Sequence, residues 1–290
     1  MIDDARIEAA IVAALDRHLS ASCPPRLASA VRYAVLPGGS RVRPKLCQSV
    51  ALACGADDLL SVDAACVAIE LLHCASLVHD DLPCFDDAPV RRGKPTVHIA
   101  FDERLALLCG DELIVMAFEV LAQGAAQRPE RLQALMAVIG KAVGAPNGII
   151  AGQAYECEPG VDLRAYQQAK TGALFAASTA AGAAAAGADV DQWVALGAHL
   201  GEAYQVADDL RDVHASAEVL GKPVGQDQRH NRPSAVAALG SDSAMGHLRG
   251  LLQQATDSIP ACQGRDALTA VLQQQSDQII AALQALRSAA

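Results

Sequence analysis

Apolar residues along this chain recur with the spacing of an α-helix. Residues 5–19 place Ile7, Ile11, Ala14 and Leu15 on one face. Residues 43–54, 61–81, 98–123, 131–144, 171–187, 190–212, 241–257 and 266–286 repeat that pattern. No convincing strand alternation interrupts it. Pro24-Pro25, Pro37-Gly38-Gly39, Pro83, Pro89, Pro95, the stretch Gly221 to Gly225, and Pro233 punctuate the helices. No long Gly/Ser linker divides the chain. The pattern predicts an all-α protein with one domain over residues 1–290.

Composition strengthens the helical expectation. Hydrophobic residues make up 52% of the 290 positions and aromatics only 3%. Ala and Leu dominate, and both are strong helix formers. Residues 171–188 are the most apolar stretch, Ala-rich and small, and read as a tightly packed core helix rather than a membrane span. The net charge of −10, with no basic stripe, argues against nucleic acid as a partner. Nine scattered cysteines form no CxxC pair and point to free thiols in a reducing cytoplasm. The acidic start, MIDDARIEAA, lacks the basic and apolar regions of a signal peptide.

Charge placement changes the picture most. Two apolar helices each run into an aspartate cluster: Asp80-Asp81 with Asp86 and Asp87, and Asp208-Asp209 with Asp212. Pro83 disfavours helical geometry at Leu82, so the first helix should end there and present its carboxylates at a helix end. Such a helix end carries partial negative charge, so aspartates there call for a compensating cation. Taken alone, the first cluster fits a solvated acidic loop as well as it fits a Mg²⁺ site. In the second, Asp208 and Asp212 share a helix face with the apolar stripe of Leu196, Leu200, Ala203 and Ala207, which favours ligands over solvated charges. Cations lie close in sequence to both clusters: Arg91-Arg92 after the first, Lys170 ahead of the second, and Lys222 and Arg229 after it. Arg grips phosphate oxygens in a bidentate way, so this set suits a metal-bound diphosphate.

The segments Gly38 to Pro44, Asp80 to Asp86 running into Arg91 to Thr96, Gly152-Gln153, Lys170-Thr171-Gly172, and Gln205 to Asp212 with Gly221-Lys222 resemble, in order and spacing, the motif regions of the polyprenyl synthetase family. That resemblance implies a helical bundle of the isoprenoid synthase type with a central cavity, a homodimer, and three Mg²⁺ ions. It implies Asp80, Asp86 and Asp208 as metal ligands, supported by Asp81, Asp209 and Asp212. Arg91, Lys170, Thr171, Gln205 and Lys222 would contact an allylic diphosphate. Arg43, His73 and Arg92 would bind isopentenyl diphosphate. Ala75, five residues before Asp80, and Ser76 would line the cavity floor, and a small floor implies a twenty-carbon product. The chain is most similar to the family's bacterial geranylgeranyl-forming members, with farnesyl diphosphate synthesis as the alternative. Four positions depart from the family pattern: Ser40 stands where a Lys is usual, Ala88-Pro89 replace two acidic residues, and Gln226 replaces a frequent Lys. A terpene cyclase is disfavoured because Asp212 stands where its second motif needs Ser or Thr. A metal phosphohydrolase would need further His ligands. A regulatory subunit usually lacks one aspartate cluster.

Overall fold

The structure is a computed structural model that describes residues 3–160, 162–214, 236 and 239–289. They form α1 (Asp4–His18), α2 (Pro25–Val35), α3 (Val42–Ala53), α4 (Leu59–Asp80), β1 (Val90–Arg91), β2 (Lys94–Pro95), α5 (Val97–Ala100), α6 (Glu103–Gly124), α7 (Pro129–Val143), α8 (Ile149–Ala154), α9 (Leu163–Gln167), α10 (Ala173–Ala186), α11 (Val194–His214), α12 (Ser241–Asp257) and α13 (Arg265–Ala289). Each expected helical segment is present, with shifted ends. The fold class is all-α.

Local chemistry sets these boundaries. Asp3, Asp58 and Asp102 cap α1, α4 and α6 by accepting backbone N–H bonds from Arg6, Leu60 and Leu105. The cap at Asp102 also splits the expected 98–123 helix into α5 and α6. Pro25 starts α2, a helix that reading the Pro pair only as punctuation overlooks. Gly187, in a left-handed conformation, ends α10.

Helix α4 is central. It packs against α1, α2, α3, α6, α7 and α10. It is long and apolar enough to cross a membrane, but 78% of its most apolar window is buried inside the protein. It is thus a core helix buried on nearly every side. Helix α10, built almost wholly of small residues, contacts α3, α4, α7 and α11. Ala177, Ala181 and Ala184 join the main core around α4, whereas Phe175 and Ala183 join a second cluster with Trp193, Leu268 and Leu272.

Helix α4 ends at Asp80, two residues before the expected Leu82. Asp81 still donates to the Leu77 carbonyl, and the chain then folds back: the Asp86 N–H donates to the Asp80 carbonyl at 3.0 Å and that of Ala88 to Asp81. A minimal hairpin follows, pairing Val90 with Pro95 and Arg91 with Lys94. Its turn residues, Arg92 and Gly93, both have positive φ, 53° and 75°. That geometry suits a two-residue hairpin turn. The expectation of no strand is corrected by this one pair, too short to show alternation.

Candidate active site

Three groups of side chains meet where α3, α4, α8, α10 and α11 come together. The first surrounds Asp80. Its Oδ1 accepts from Lys170 Nζ at 2.9 Å and from Gln153 Nε2 at 3.0 Å. Lys170 also donates to Glu156 Oε1 at 2.6 Å, and the Tyr166 hydroxyl donates to the same oxygen. Arg91 Nε sits 2.8 Å from both Asp81 oxygens, and its Nη2 lies 2.6 Å from Asp81 Oδ1 and 3.8 Å from Asp80 Oδ2.

Backbone geometry places Lys170. It lies on a π-helical turn, Gln168–Gly172, between α9 and α10. The helix start expected at Thr171 is therefore a π-turn leading into α10. Helix α8 crosses that turn at Gly152, where a Cβ would lie 2.4 Å from the Lys170 nitrogen. Only glycine lets the two backbones come so close.

Electrostatics follow from burial against these partners. Burial alone would raise the Asp80 carboxyl, but Lys170, Arg91 and Gln153 together hold it below the ordinary range. At Asp81 burial wins over Arg91, and the carboxyl is raised. Burial would lower Lys170, but Asp80, Tyr166 and Glu156 outweigh it and keep the ammonium protonated.

Asp80, Asp86 and Glu156 each offer one carboxylate oxygen, and these oxygens lie within 4.8 Å of one another. An all-oxygen, all-carboxylate donor set fits a hard divalent cation such as Mg²⁺.

The second group is on α11 and the π-turn. Thr171 Oγ1 donates to Gln205 Oε1 at 3.3 Å, and Gln205 Nε2 donates to Asp209 Oδ1 at 3.0 Å. Asp209 is buried, while Asp208 and Asp212 are half-buried. Lys170 and Thr171 are consecutive, so a continuous path joins the clusters: Asp80, Lys170, Thr171, Gln205, Asp209.

The third group is Arg43, His73 and Arg92. His73 Nε2 lies 3.4 Å from Arg43 Nη1 and 3.5 Å from Arg92 Nη2. Burial, then Arg43 and Arg92, hold His73 well below its ordinary value. The positive φ at Arg92 separates the arginine pair, sending Arg91 to Asp81 and Arg92 to His73. Gly39 backs Arg92, since a Cβ there would lie 2.8 Å from its Cζ. Arg41, from the same motif as Arg43, is instead a fold anchor, buried against Glu70 and Glu8 at 2.6 and 2.7 Å.

Ala75 is buried in the main core and Ser76 is half-buried, its hydroxyl donating to the His73 carbonyl. Ser40 is exposed. Lys222, Gln226 and Arg229 lie outside the described residues. Sequence reasoning did not assign Gln153, Glu156 or Tyr166. Their spacing held a signal: Glu156 follows Gln153 by three residues, and Lys170 follows Tyr166 by four, both neighbouring positions on a helix.

An all-helical bundle with acidic helix ends bridged by cations defines a class of protein built to hold a metal and a polyanion. Residues 24–267 match the polyprenyl synthetase family. The geranylgeranyl diphosphate synthase of Cereibacter sphaeroides is 53% identical over 99% of this chain and 100% of its own length. The farnesyl diphosphate synthase of Geobacillus stearothermophilus is 39% identical over 79% of this chain and 81% of its own length. Among solved structures, a geranyltransferase from Helicobacter pylori, complexed with magnesium and isoprenyl diphosphate, superposes with a TM-score of 0.81 at 29% identity, covering 94% of this chain and 96% of that one. The chain belongs to the polyprenyl synthetase family.

Proposed function

We propose that this chain is a magnesium-dependent trans-prenyltransferase that condenses isopentenyl diphosphate with allylic diphosphates to give geranylgeranyl diphosphate. The observation that carries this reading is the path of hydrogen bonds from Asp80 to Lys170 and from its chain neighbour Thr171 through Gln205 to Asp209. It links two carboxylate clusters around a pair of diphosphate-binding donors. Similarity to the Cereibacter enzyme, and to a geranylgeranyl diphosphate synthase of Rhodobacter capsulatus at 51% identity, supports the twenty-carbon product over farnesyl diphosphate.

Asp80 and Asp86 would hold metal on one side and Asp208 on the other, three Mg²⁺ in all with substrate bound. Asp81, Asp209 and Asp212 support these ligands. When bound, Mg²⁺ supplies positive charge against the departing diphosphate. Lys170, Arg91, Thr171 and Gln205 bind the allylic diphosphate and stabilise the charge that grows as its carbon–oxygen bond breaks. Arg43, His73 and Arg92 hold isopentenyl diphosphate, whose double bond attacks the allylic cation. The released diphosphate takes the proton. Ala75 and Ser76 form the floor that limits chain growth. The apolar interior keeps water from the cation.

A homodimer follows from the family resemblance, and Leu107, Leu108 and Val115 of α6, each about half exposed, offer an apolar face for it. The nine free cysteines fit a cytoplasmic location.

The test is transfer of labelled isopentenyl diphosphate to dimethylallyl diphosphate, with and without Mg²⁺. Asp80→Asn and Asp208→Asn should each lower kcat by at least about 100-fold. Transfer unaffected by chelation, or by both substitutions, would overturn the reading.

A further inference from the structure

Arg43 is held in an unusual way. It is largely buried, and its Nε has no hydrogen-bond partner among the described residues. Among the described residues its one polar contact, His73 Nε2 at 3.4 Å, is long. Among the described residues no carboxylate pairs with it, in contrast to Arg41 two residues earlier, which has two.

Aromatic faces hold it instead. The Arg43 guanidinium carbon stacks 4.5 Å from the Phe175 ring centroid and 5.9 Å from that of Tyr204. The two rings lie 5.2 Å apart, tilted by 41°. A desolvated guanidinium over an aromatic face is attracted by the ring quadrupole, yet keeps its N–H edges available. The position is also specific. Phe175 stands one helical turn after Thr171, and Tyr204 immediately precedes Gln205. The aromatic pair thus joins the Thr171–Gln205 pair to the Arg43–His73–Arg92 group.

We propose that Phe175, braced by Tyr204, is a positioning residue that aims Arg43 and thereby sets recognition of the homoallylic diphosphate. This rests on the function proposed above. A carboxylate in place of the ring would neutralise Arg43 and compete with the substrate for its N–H groups. A ring orients the cation and leaves its hydrogen-bonding capacity to a phosphate.

The experiment measures kcat and separate KM values for isopentenyl diphosphate and farnesyl diphosphate in the native chain, Phe175→Leu, Phe175→Tyr and Tyr204→Leu. Phe175→Leu should raise the isopentenyl diphosphate KM by about 3- to 30-fold, the range of a desolvated cation–π contact. The farnesyl diphosphate KM should stay within about twofold, because Thr171 and Gln205 are untouched. Phe175→Tyr, which keeps the ring, should restore a near-native value. Tyr204→Leu should show a smaller rise of the same selectivity, and it keeps the test open if Phe175→Leu fails to fold. Equal rises in both KM values, or an unchanged isopentenyl diphosphate KM in Phe175→Leu and Tyr204→Leu, would overturn the proposal. A native chain that transfers no isopentenyl unit would instead overturn the function on which it rests.

Discussion

Two arginines of one short motif, Arg41 and Arg43, should fail differently when changed. Arg41 and Glu70 are 3% and 2% exposed, and Arg41 Nη1 lies 2.6 Å from Glu70 Oε1. Arg41 also donates to the Val35 carbonyl at 3.0 Å and to Glu8, so it ties α1, the end of α2 and the middle of α4 to the start of α3. Glu70→Gln removes the charge and keeps the shape. At an effective dielectric of about 20, a contact this short is worth roughly 6 kcal/mol before desolvation. Losing one partner of a buried pair costs about 3–5 kcal/mol. Glu8 still compensates Arg41, and the amide still accepts a hydrogen bond, so about 2–4 kcal/mol is expected. For a chain of this size that lowers Tm by about 3–7 °C. Thermal unfolding followed by circular dichroism measures it. The double change Arg41→Met with Glu70→Leu should recover most of the loss, since apolar replacement of a whole buried pair is often neutral. Arg43→Met, by contrast, should leave Tm within about 2 °C, because its side chain is stacked rather than ion-paired, and should raise the isopentenyl diphosphate KM. A Tm within about 1 °C of native for Glu70→Gln would refute the anchoring role.

Four further outcomes are expected. Glu156→Gln should weaken Mg²⁺ binding, measured by calorimetry with an unreactive allylic diphosphate analogue, by about 10–100-fold through loss of one carboxylate from the Asp80–Asp86–Glu156 set. Gly152→Ala should push α8 away from the π-turn and cut kcat far more than it cuts Tm, because the 2.4 Å approach is to backbone that carries Lys170. Folded His73 titrates well below 6.5, so the unfolded chain binds its proton first on acidification. Its contribution to stability is therefore present above about pH 6.5 and is lost below it, at up to about 1.4 kcal/mol per pH unit, and His73→Gln should remove that part of the slope in urea titrations. Ala75→Tyr should shorten the product, read by chromatography of the dephosphorylated alcohols, since the site is 1% exposed and a ring must displace whatever space lies beside it.

Long helices were legible because periodicity is a property of the local chain: Ile7, Ile11, Ala14 and Leu15 all lie in the core as expected. The aspartate clusters were legible because their neighbours, Leu82-Pro83 and the α11 stripe, constrain where they sit. Short elements were not. The hairpin at Val90–Pro95 is two residues wide on each strand, and its positive-φ turn uses Arg92 rather than the usual Asn or Asp. The π-turn at Lys170 packs against Gly152 of another helix, a tertiary contact that no local pattern carries. Glu156 joins the site by the same route. The motif Gly38 to Pro44 assigned Arg43 to isopentenyl diphosphate and gave Arg41 no role. Packing against Glu70 and Glu8 shows Arg41 as an anchor, and stacking on Phe175 shows how Arg43 is held. Ser40 is exposed, and neither Arg41 nor Lys94 stands in for the absent lysine: Arg41 is ion-paired, and Lys94 donates to the carbonyls of Tyr33 and Leu36.

The most direct measurement is a single-condensation assay. The purified chain is incubated with farnesyl diphosphate, labelled isopentenyl diphosphate and Mg²⁺, and the product length is read by chromatography. Label should appear in a twenty-carbon product and cease to accumulate there when Mg²⁺ is chelated. Farnesyl diphosphate returned unextended, while geranyl diphosphate is still carried to farnesyl, would contradict the twenty-carbon assignment.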